Sequence, residues 1–294
     1  MRKILVLRGG ALGDFIVTLP ALVLLRERWP DARIELAGNA TAAQLARSRG
    51  LLDAVHSQHE ARWAALFSAL PAPFEAWLRE FDLILNFWPD AEGDLARKFP
   101  LRPDQLFLSA SALPTETPAA AHYAEALGPL GIAPRGSYCL LESGRVVLAP
   151  SQSPAARTGQ TIALHPGSGS ARKNWPLDQW AEICRWLRET HHAELLIITG
   201  EAEPATALAD FGRPARNLPL ESLVAELSRC RLFLGHDSGV SHLAAACGVP
   251  SILLFGSTDP AMWAPPATHV RVLRRGSELK AITVDDVKAV IGLA

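Results

Sequence analysis

The sequence predicts an α/β protein with two parallel sheets in tandem, each flanked by helices. Short aliphatic runs alternate with longer helical stretches along the chain, as they do in repeated βα units. The alternation stops at 149–160, a polar stretch that carries Pro, Ser and Gly without periodicity, and then starts again. The length of 294 residues also suits two domains of ordinary size. We therefore place the domains at residues 1–153 and 154–294.

The N-terminal half opens on a strand, a glycine turn and a helix, which together begin a βα unit. The run KILVL is short and apolar, Gly9 and Gly10 follow it, and a helical stretch begins at Asp14. The same criteria predict the other elements of this half. The predicted strands are 3–7, 33–37, 82–87 and 105–108, and the predicted helices are 14–28, 41–49, 61–70 and 74–80.

The C-terminal half repeats this alternation with a clearer separation between strands and helices. Its strands are predicted at 161–164, 194–199, 231–235, 251–255 and 270–273, and its helices at 177–188, 204–211, 220–230, 239–247 and 284–291. The last helix either stays with its own domain or packs back on the first. Ligands of parallel α/β sheets bind beyond the carboxyl ends of the strands, so the loops that follow the strands are the candidates for function.

The composition excludes several classes of protein. The 29 basic and 30 acidic residues give a net charge of −1, so no global attraction to nucleic acid is expected and any anion site is local. The four cysteines form no CxxC pair and predict buried, reduced thiols. Apolar runs are too short for a secretory signal or a membrane span, which predicts a soluble, cytoplasmic protein. Neither a metal site nor a resident cofactor is predicted.

The loop after the first strand ends on Asp14. A dinucleotide-binding fingerprint would need glycine at position 8, where this chain has Arg8. Asp14 stands at the start of the following helix, where it can cap backbone N–H groups. It can equally act as a general base at the mouth of a binding site. The loop alone leaves both interpretations open.

Loops of the C-terminal half carry the features of an anion site. The loop 165–176 is rich in Gly and Ser and holds Lys173, one of only five lysines, although the Walker A spacing is absent. A second loop, 235–242, places Asp237 and Ser238 at a helix start, whose N–H groups attract anions. Glu201 follows a strand, where an acid can bind the hydroxyls of a ribose. Plain turns and simple capping remain the alternatives for these loops.

Three segments together resemble glycosyltransferase family 9, the bacterial heptosyltransferases of lipopolysaccharide core synthesis. They are ILVLRGGALGDFIVTLPAL, HPGSGSARKNWPLDQWAEI and FLGHDSGVSHLAAACGVPSILLFGSTDP. The combination of G-x-x-G-D, D-S-G-x-S-H-L-A-A and G-x-T-D-P is specific, whereas each motif alone is weak. The resemblance implies a GT-B fold, in which two Rossmann-like domains face each other across a cleft.

The resemblance also implies an activity, which is inverting transfer of a heptose or related sugar from ADP-heptose to a hydroxyl of the lipopolysaccharide inner core. The alternatives are a family member that uses another nucleotide-sugar and a nucleotide-sugar-binding protein without catalysis. A lipid-linked acceptor would place the enzyme peripherally at the inner face of the inner membrane, and we separately expect a monomer. By position, Asp14 resembles the catalytic base, and Lys173 the residue that neutralises the donor diphosphate. The residues implied to bind the donor are Ser168, Gly169, Lys173, Glu201, Asp237, Ser238, Gly239 and His242. An acceptor role is implied for Arg8, Arg62, Arg97, Lys98 and Arg102, with surface charge as the alternative.

Overall fold

The computed structural model of the chain describes residues 1–114, 116–136, 138–148, 159–168, 173–201 and 208–292. They belong to two compact units, Met1–Leu148 and Ala149–Ala294. The domain boundary that we predicted between residues 153 and 154 lies outside the described residues, as does most of the predicted linker.

The first unit is built on a sheet of five parallel strands. The strands of this sheet are β1 (Lys3–Arg8), β2 (Arg33–Gly38), β3 (Ala54–Ser57), β4 (Leu83–Asn86) and β5 (Leu106–Ser109). The unit also contains β6 (Cys139–Glu142) and β7 (Arg145–Leu148), which lie outside this sheet. Its helices are α1 (Leu12–Ile16), α2 (Leu19–Arg28), α3 (Ala40–Arg47), α4 (Ala72–Leu78), α5 (Asp94–Lys98) and α6 (Ala119–Glu125), with 3₁₀ helices at Ala61–Phe67 and Gly128–Leu130. The parallel sheet has the order β3-β2-β1-β4-β5, and β6 pairs with β7 in an antiparallel hairpin.

The second unit repeats the architecture with six parallel strands. Its strands are β8 (Thr161–His165), β9 (Glu194–Thr199), β10 (Arg213–Arg216), β11 (Leu232–His236), β12 (Ser251–Phe255) and β13 (Val270–Arg274). Its helices are α7 (Leu177–His191), α8 (Leu220–Leu227), α9 (Gly239–Ala246), α10 (Pro260–Trp263) and α11 (Val284–Ile291), with 3₁₀ helices at Ala209–Phe211 and Leu279–Ala281. The sheet order is β10-β9-β8-β11-β12-β13.

In both sheets the order in which successive strands are added reverses at the first strand. In the first unit β1 lies between β2 and β4, and in the second unit β8 lies between β9 and β11. The connections therefore leave toward opposite sides of the sheet at these two places, and the loops diverge there to leave a crevice. The loop that ends on Asp14 follows β1, and the loop that holds Lys173 follows β8. The topology thus brings the predicted residues to the switch point of each sheet.

Buried aliphatic strands explain why the sequence signal is strong. Residues 4–7 of β1 are fully buried, because helices cover both faces of a parallel sheet and each face demands apolar side chains. In the second unit, Trp180 of α7 and Val287 of α11 belong to one core cluster with the strands. Helix α11 packs on α7, and the ammonium of Lys288 reaches Glu182 at 3.1 Å. The prediction of two parallel α/β sheets is confirmed.

The predicted helix 14–28 is wrong in one respect, because the structure has two helices there. Helix α1 ends at Ile16 and α2 begins at Leu19. Pro20 explains the break: it has no N–H to donate to the carbonyl of Ile16, and its ring would clash with that carbonyl. The break leaves Thr18 as the N-cap of α2, close beneath the loop of Asp14.

Other differences concern short elements. The sequence patterns did not indicate β3, β10, α5, α6 or the β6–β7 hairpin, which are all between four and seven residues long. The predicted helix 204–211 lies mostly outside the described residues, and its described end, Ala209–Phe211, is a 3₁₀ helix. The four cysteines are buried, as the sequence predicts.

Candidate active site

Asp14 is held by one hydrogen bond to each oxygen of its carboxylate. The backbone N–H of Ala11 donates to Oδ2 at 2.8 Å, and the Arg8 guanidinium donates to Oδ1 at 3.2 Å. The Asp14 side chain is one-third exposed, whereas that of Arg8 is only 4% exposed. Asp14 therefore caps the start of α1 and still presents its carboxylate to solvent. Both interpretations of this residue that the sequence left open are compatible with this geometry.

Gly10 allows the loop to approach this carboxylate. Its φ of +100° lies in the region that favours glycine. A Cβ atom at this position would lie 2.5 Å from Oδ2 of Asp14 and 2.7 Å from the Cβ of Asp14. The carbonyl of Gly10 also accepts a hydrogen bond from the side chain of Asn39 at 3.2 Å, which links the loop to the start of α3. Glycine is thus required at position 10 for two reasons, backbone conformation and space.

The five cations predicted to bind an acceptor are not gathered into one patch. Arg8 is buried beneath Asp14. Arg62 donates to His56 at 2.8 Å and pairs with Glu60, and its guanidinium stacks over Trp77. Their charges thus have partners inside the first unit.

The remaining three cations also have partners. Arg97 pairs with Asp94, and the ammonium of Lys98 lies 5.5 Å from the centroid of the Phe67 ring. Arg102 pairs with Asp82 and Asp104, which precede β4 and β5. That is the amino edge of the sheet, whereas Asp14 follows the carboxyl edge, and β4 alone separates the two edges by roughly 13 Å. The structure therefore does not bring Arg102 to the loop of Asp14.

A cavity of about 500 Å³ opens beyond β4 and β5 in the first unit. Its wall is made by the segment 89–91, which begins three residues after β4 ends, and by residues 109–113, which include the last residue of β5 and the loop after it. Asp90 is the charged residue of this wall, and its carboxylate accepts hydrogen bonds from the N–H groups of Leu95 and Ala96 in α5. The wall is otherwise composed of Pro, Ala, Ser and Leu, so it suits an uncharged part of a ligand.

Lys173 and Asp237 meet at the switch point of the second sheet. The Lys173 ammonium donates to Oδ2 of Asp237 at 2.8 Å, and the hydroxyl of Thr258 donates to the same oxygen at 2.8 Å. Lys173 follows β8, Asp237 follows β11 and Thr258 follows β12, so three adjacent strands contribute one residue each. An ammonium has three donors, of which this contact uses one. The Lys173 side chain is one-third exposed, so its charge can also reach an external anion.

Helix α9 begins two residues after Asp237. Ser238 is its N-cap, and the Ser238 hydroxyl accepts a hydrogen bond from the N–H of Ser241 at 3.3 Å. Gly239 is the first helical residue, so its N–H and that of the following residue have no intrahelical partner. His242, predicted to bind the donor, lies within α9 and is 6% exposed. The start of α9 therefore offers backbone donors and a positive helix end next to Lys173.

Two buried histidines, His165 and His236, lie at the ends of β8 and β11, where the two candidate loops begin. The sequence analysis did not assign them a role. Burial lowers the pKa of His165 to about 4 and, together with the proximity of His165, that of His236 to about 3. Both are therefore neutral at pH 7. Nε2 of His236 accepts a hydrogen bond from the backbone N–H of Trp175 at 2.9 Å, and its ring lies edge-on to Trp180. His236 thus ties the loop that holds Lys173 to the strand that precedes Asp237.

The other predicted donor residues are dispersed. Ser168 is buried, and its hydroxyl donates to the side chain of Asn174 at 2.8 Å, within the loop of Lys173. Glu201 is exposed and lies beyond the carboxyl end of β9, which is the strand next to β8. Gly169 lies outside the described residues. Tyr123, which contacts Arg8, is a further residue that the sequence did not point to, since nothing in its helix forms a motif.

The described ranges contain neither a cluster of metal ligands nor a membrane-spanning helix. No three His, Cys, Asp or Glu side chains converge there as a metal site would require. Among the helices of those same ranges, none combines the length and the apolar character that crossing a bilayer needs.

Comparison with known proteins finds consistent relatives. Residues 144–289 match the sequence model of glycosyltransferase family 9 (heptosyltransferase). A lipopolysaccharide heptosyltransferase 1 from Escherichia coli is 22% identical over 98% of this chain and 97% of its own length. A lipopolysaccharide heptosyltransferase 1 from Salmonella typhimurium is 23% identical over 88% of this chain and 90% of its own length.

Solved structures agree at the level of the fold. A glycosyl transferase family 9 protein from Veillonella parvula has a TM-score of 0.77, with 19% identity over 99% of this chain and 96% of its own. The E. coli heptosyltransferase WaaC, solved with ADP, has a TM-score of 0.75 with 18% identity over 99% of both chains. A second WaaC structure, solved with ADP-2-deoxy-2-fluoro heptose, gives the same values. At these identities the likeness establishes a fold of two Rossmann-like units, as expected of the GT-B class.

Proposed function

This chain is a glycosyltransferase of family 9, and from that premise we propose that it transfers a heptose, or a related sugar, from ADP-heptose to a hydroxyl of the lipopolysaccharide inner core. The first unit would bind the acceptor and the second the donor. The names of its relatives support this assignment, since several are lipopolysaccharide heptosyltransferases. WaaC, which shares the fold, has been solved with ADP and with an analogue of ADP-heptose.

The geometry of Asp14 is the observation that carries the proposal. Its carboxylate lies at the switch point of the first sheet, is held through both oxygens and remains one-third exposed. A carboxylate in such a place can take the proton of an acceptor hydroxyl as the bond to the sugar forms. The contacts from the N–H of Ala11 and from Arg8 fix both oxygens while the carboxylate stays accessible, which is the state that a positioned base requires.

The proposed reaction is a single displacement with inversion. Asp14 takes the proton of the acceptor hydroxyl, and the acceptor oxygen forms a bond to the anomeric carbon of the heptose. The bond between that carbon and the diphosphate oxygen breaks on the opposite face, and its electrons leave with ADP. Negative charge therefore grows on the diphosphate, where Lys173 and the N–H groups at the start of α9 can stabilise it.

The first unit also contains a cavity that suits the acceptor. The cavity behind segments 89–91 and 109–113 lies at the same edge of the first sheet as Asp14. We assign it to an uncharged portion of the acceptor, because its wall holds no Lys or Arg. A lipid-linked acceptor would require the enzyme to work at the inner face of the inner membrane.

Asp14→Asn tests the assignment of the base, because it keeps the shape of the side chain and removes the negative charge. We expect the transfer rate to fall roughly 10²- to 10⁴-fold while ADP binding is unchanged.

A second experiment identifies the donor. The protein is incubated with truncated lipopolysaccharide and with ADP-heptose, UDP-sugars or GDP-sugars, and the mass of the product shows which sugar was transferred.

Asp104→Asn serves as the matched control, since Asp104 is a largely exposed carboxylate of the same unit. Its rate should equal that of the wild type. Full turnover by Asp14→Asn would remove Asp14 from the role of base. Product from a UDP-sugar or GDP-sugar alone would refute ADP-heptose as the donor.

A further inference from the structure

Arg8 is the most deeply buried charge around the candidate base. It is the last residue of β1, and its side chain is 4% exposed. Resemblance had suggested that it contacts the acceptor, but Nε and Nη2 of its guanidinium are engaged by residues of the first unit. Taking a guanidinium out of water is costly unless each donor finds a partner. The partners of Arg8 therefore indicate what its burial serves.

Those partners belong to three separate parts of the first unit. Nη2 donates to Oδ1 of Asp14 at 3.2 Å and to the hydroxyl of Tyr123 at 3.0 Å. Nε donates to the hydroxyl of Thr18 at 3.0 Å and to the carbonyl of Asp14 at 3.2 Å. The fork of the guanidinium thus joins the end of β1 to α1, to the N-cap of α2 and to α6.

Tyr123 completes the arrangement from the side of α6. Its hydroxyl accepts from Arg8 and donates to the carbonyl of Ala112 at 2.7 Å, and its ring centroid lies 4.5 Å from the Arg8 guanidinium carbon. Burial raises the pKa of Tyr123 further above its ordinary value, and the protonated hydroxyl can donate. Ala112 belongs to the wall of the cavity beyond β5. A continuous chain of contacts therefore runs from Asp14 through Arg8 and Tyr123 to that wall.

We propose that Arg8 and Tyr123 are positioning residues that hold the carboxylate of Asp14 in the orientation its catalytic role requires. This inference rests on the proposed function, because it presumes that Asp14 is the base. Thr18 contributes from the other side, since its hydroxyl donates to the carbonyl of Asp14 at 2.8 Å. The N–H of Ala11 fixes one carboxylate oxygen and Arg8 fixes the other, so rotation of the carboxylate is prevented. A displacement of about 1 Å at a reacting group can cost roughly 100-fold in rate.

Tyr123→Phe and Arg8→Lys test the proposal, with Tyr138→Phe as control. Tyr123→Phe deletes one hydroxyl, and Arg8→Lys keeps the charge but loses the fork that reaches several partners at once. We expect each to lower kcat about 10- to 100-fold, with acceptor KM changed less than about threefold and ADP affinity unchanged. Tyr138 is the other tyrosine of the chain and is also buried, and Tyr138→Phe should retain the wild-type kcat.

Combination with Asp14→Asn separates positioning from a merely structural role. If Tyr123 acts through the base, adding Tyr123→Phe to Asp14→Asn should lower the residual rate less than twofold, whereas an independent effect on the fold would multiply. Wild-type kcat in folded Tyr123→Phe and Arg8→Lys, or multiplicative loss in the double variant, would overturn the proposal. These results differ from failure of the proposed function, in which Asp14→Asn itself would retain full turnover or the wild type would transfer no heptose.

Discussion

Single atoms decide the geometry around Asp14. Gly10 has a positive φ, and the space that a Cβ would fill is already occupied by the carboxylate of Asp14. A side chain at this position must therefore distort the loop or push the carboxylate away from Arg8 and Ala11. Gly50 has a similar backbone, with φ of +69°, but no heavy atom lies within 4 Å of its would-be Cβ. Both glycines therefore have a positive φ, but only at Gly10 would a Cβ atom clash with a neighbouring side chain.

Gly10→Ala should therefore lower kcat at least about tenfold, because the base is displaced. The free energy of unfolding should fall by more than the roughly 1–2 kcal/mol that an alanine at a positive φ usually costs, because the new Cβ also clashes with the side chain of Asp14. Gly50→Ala should lose only the cost of the backbone conformation and should keep the wild-type kcat. Steady-state kinetics and denaturant titration measure the two quantities, and equal kcat values for the two variants would contradict the steric argument.

Lys173 is the residue proposed to neutralise the donor diphosphate. Lys173→Ala should weaken ADP binding roughly 10- to 100-fold, because a charge-assisted hydrogen bond to a diphosphate is lost. The free carboxylate of Asp237 would then face the diphosphate with Thr258 as its described side-chain partner. Lys288→Ala is the control, since Lys288 makes ion pairs on the surface of α11. Calorimetry should give unchanged ADP affinity for the control, and an equal effect of both substitutions would exclude Lys173 from the site.

At the scale of elements, His236 of β11 is joined to the loop before α7 by hydrogen bonds through both of its ring nitrogens, to Trp175 and to the carbonyl of Gly167. The N–H of Trp175 donates to Nε2 of His236, and the indole N–H of Trp175 donates to the carbonyl of Ile282 at 2.9 Å. Trp175 is thereby anchored at two points, both buried. Lys173 lies two residues earlier, so its position depends on this anchor.

His236→Phe should leave the N–H of Trp175 buried without an acceptor and cost about 1–3 kcal/mol of stability. The loop of Lys173 should shift and ADP affinity should fall several-fold. His236→Gln places an oxygen near the position of Nε2 and should recover most of both losses. Thermal unfolding and ADP titration compare the two variants, and the anchor would have no importance if Gln and Phe behaved alike.

At the scale of the whole molecule, the buried ionisable groups predict how stability depends on pH. The folded pKa values of His165 and His236, about 4 and about 3, lie below the ordinary value of 6.5. The unfolded chain therefore binds more protons below pH 6.5, and stability falls as the pH decreases. Each histidine should cost about 1.4 kcal/mol per pH unit from pH 6.5 down to its folded pKa.

Denaturant titrations at pH 7.5, 6 and 5 measure this slope, and His236→Gln should reduce it by about half. A stability that is constant over this range would contradict the buried, neutral state of the histidines.

The first unit contributes a different pH dependence of stability through Glu35 of β2. Burial by itself would raise the pKa of Glu35, but hydrogen bonds from His56 and Arg33 and the charge of Lys3 lower it to about 2. That contribution is fully present above pH 4.5 and is lost only as the pH falls below it.

Much of this protein could be predicted from its sequence. The buried strands β1, β8, β9, β11 and β12 each show a continuous aliphatic run, because both faces of a parallel sheet are covered. Asp14, Lys173 and Asp237 were identified because each stands in a polar or glycine-rich loop directly after such a strand. Short elements such as β3 and β10 were missed, since a partly exposed strand of four residues shows no period that separates it from a loop.

The sequence alone determined the α/β class, the two sheets and the residues at the ends of their first strands. Local patterning sets these features, because apolar periodicity specifies strands and helices and glycine-rich loops follow the strands. Only the tertiary structure decided what surrounds those residues. Arg8 became the buried partner of Asp14, and Tyr123 and His236 became supports of the two loops. Such partners are brought together by packing over long distances along the chain, and no local pattern records which side chains will meet.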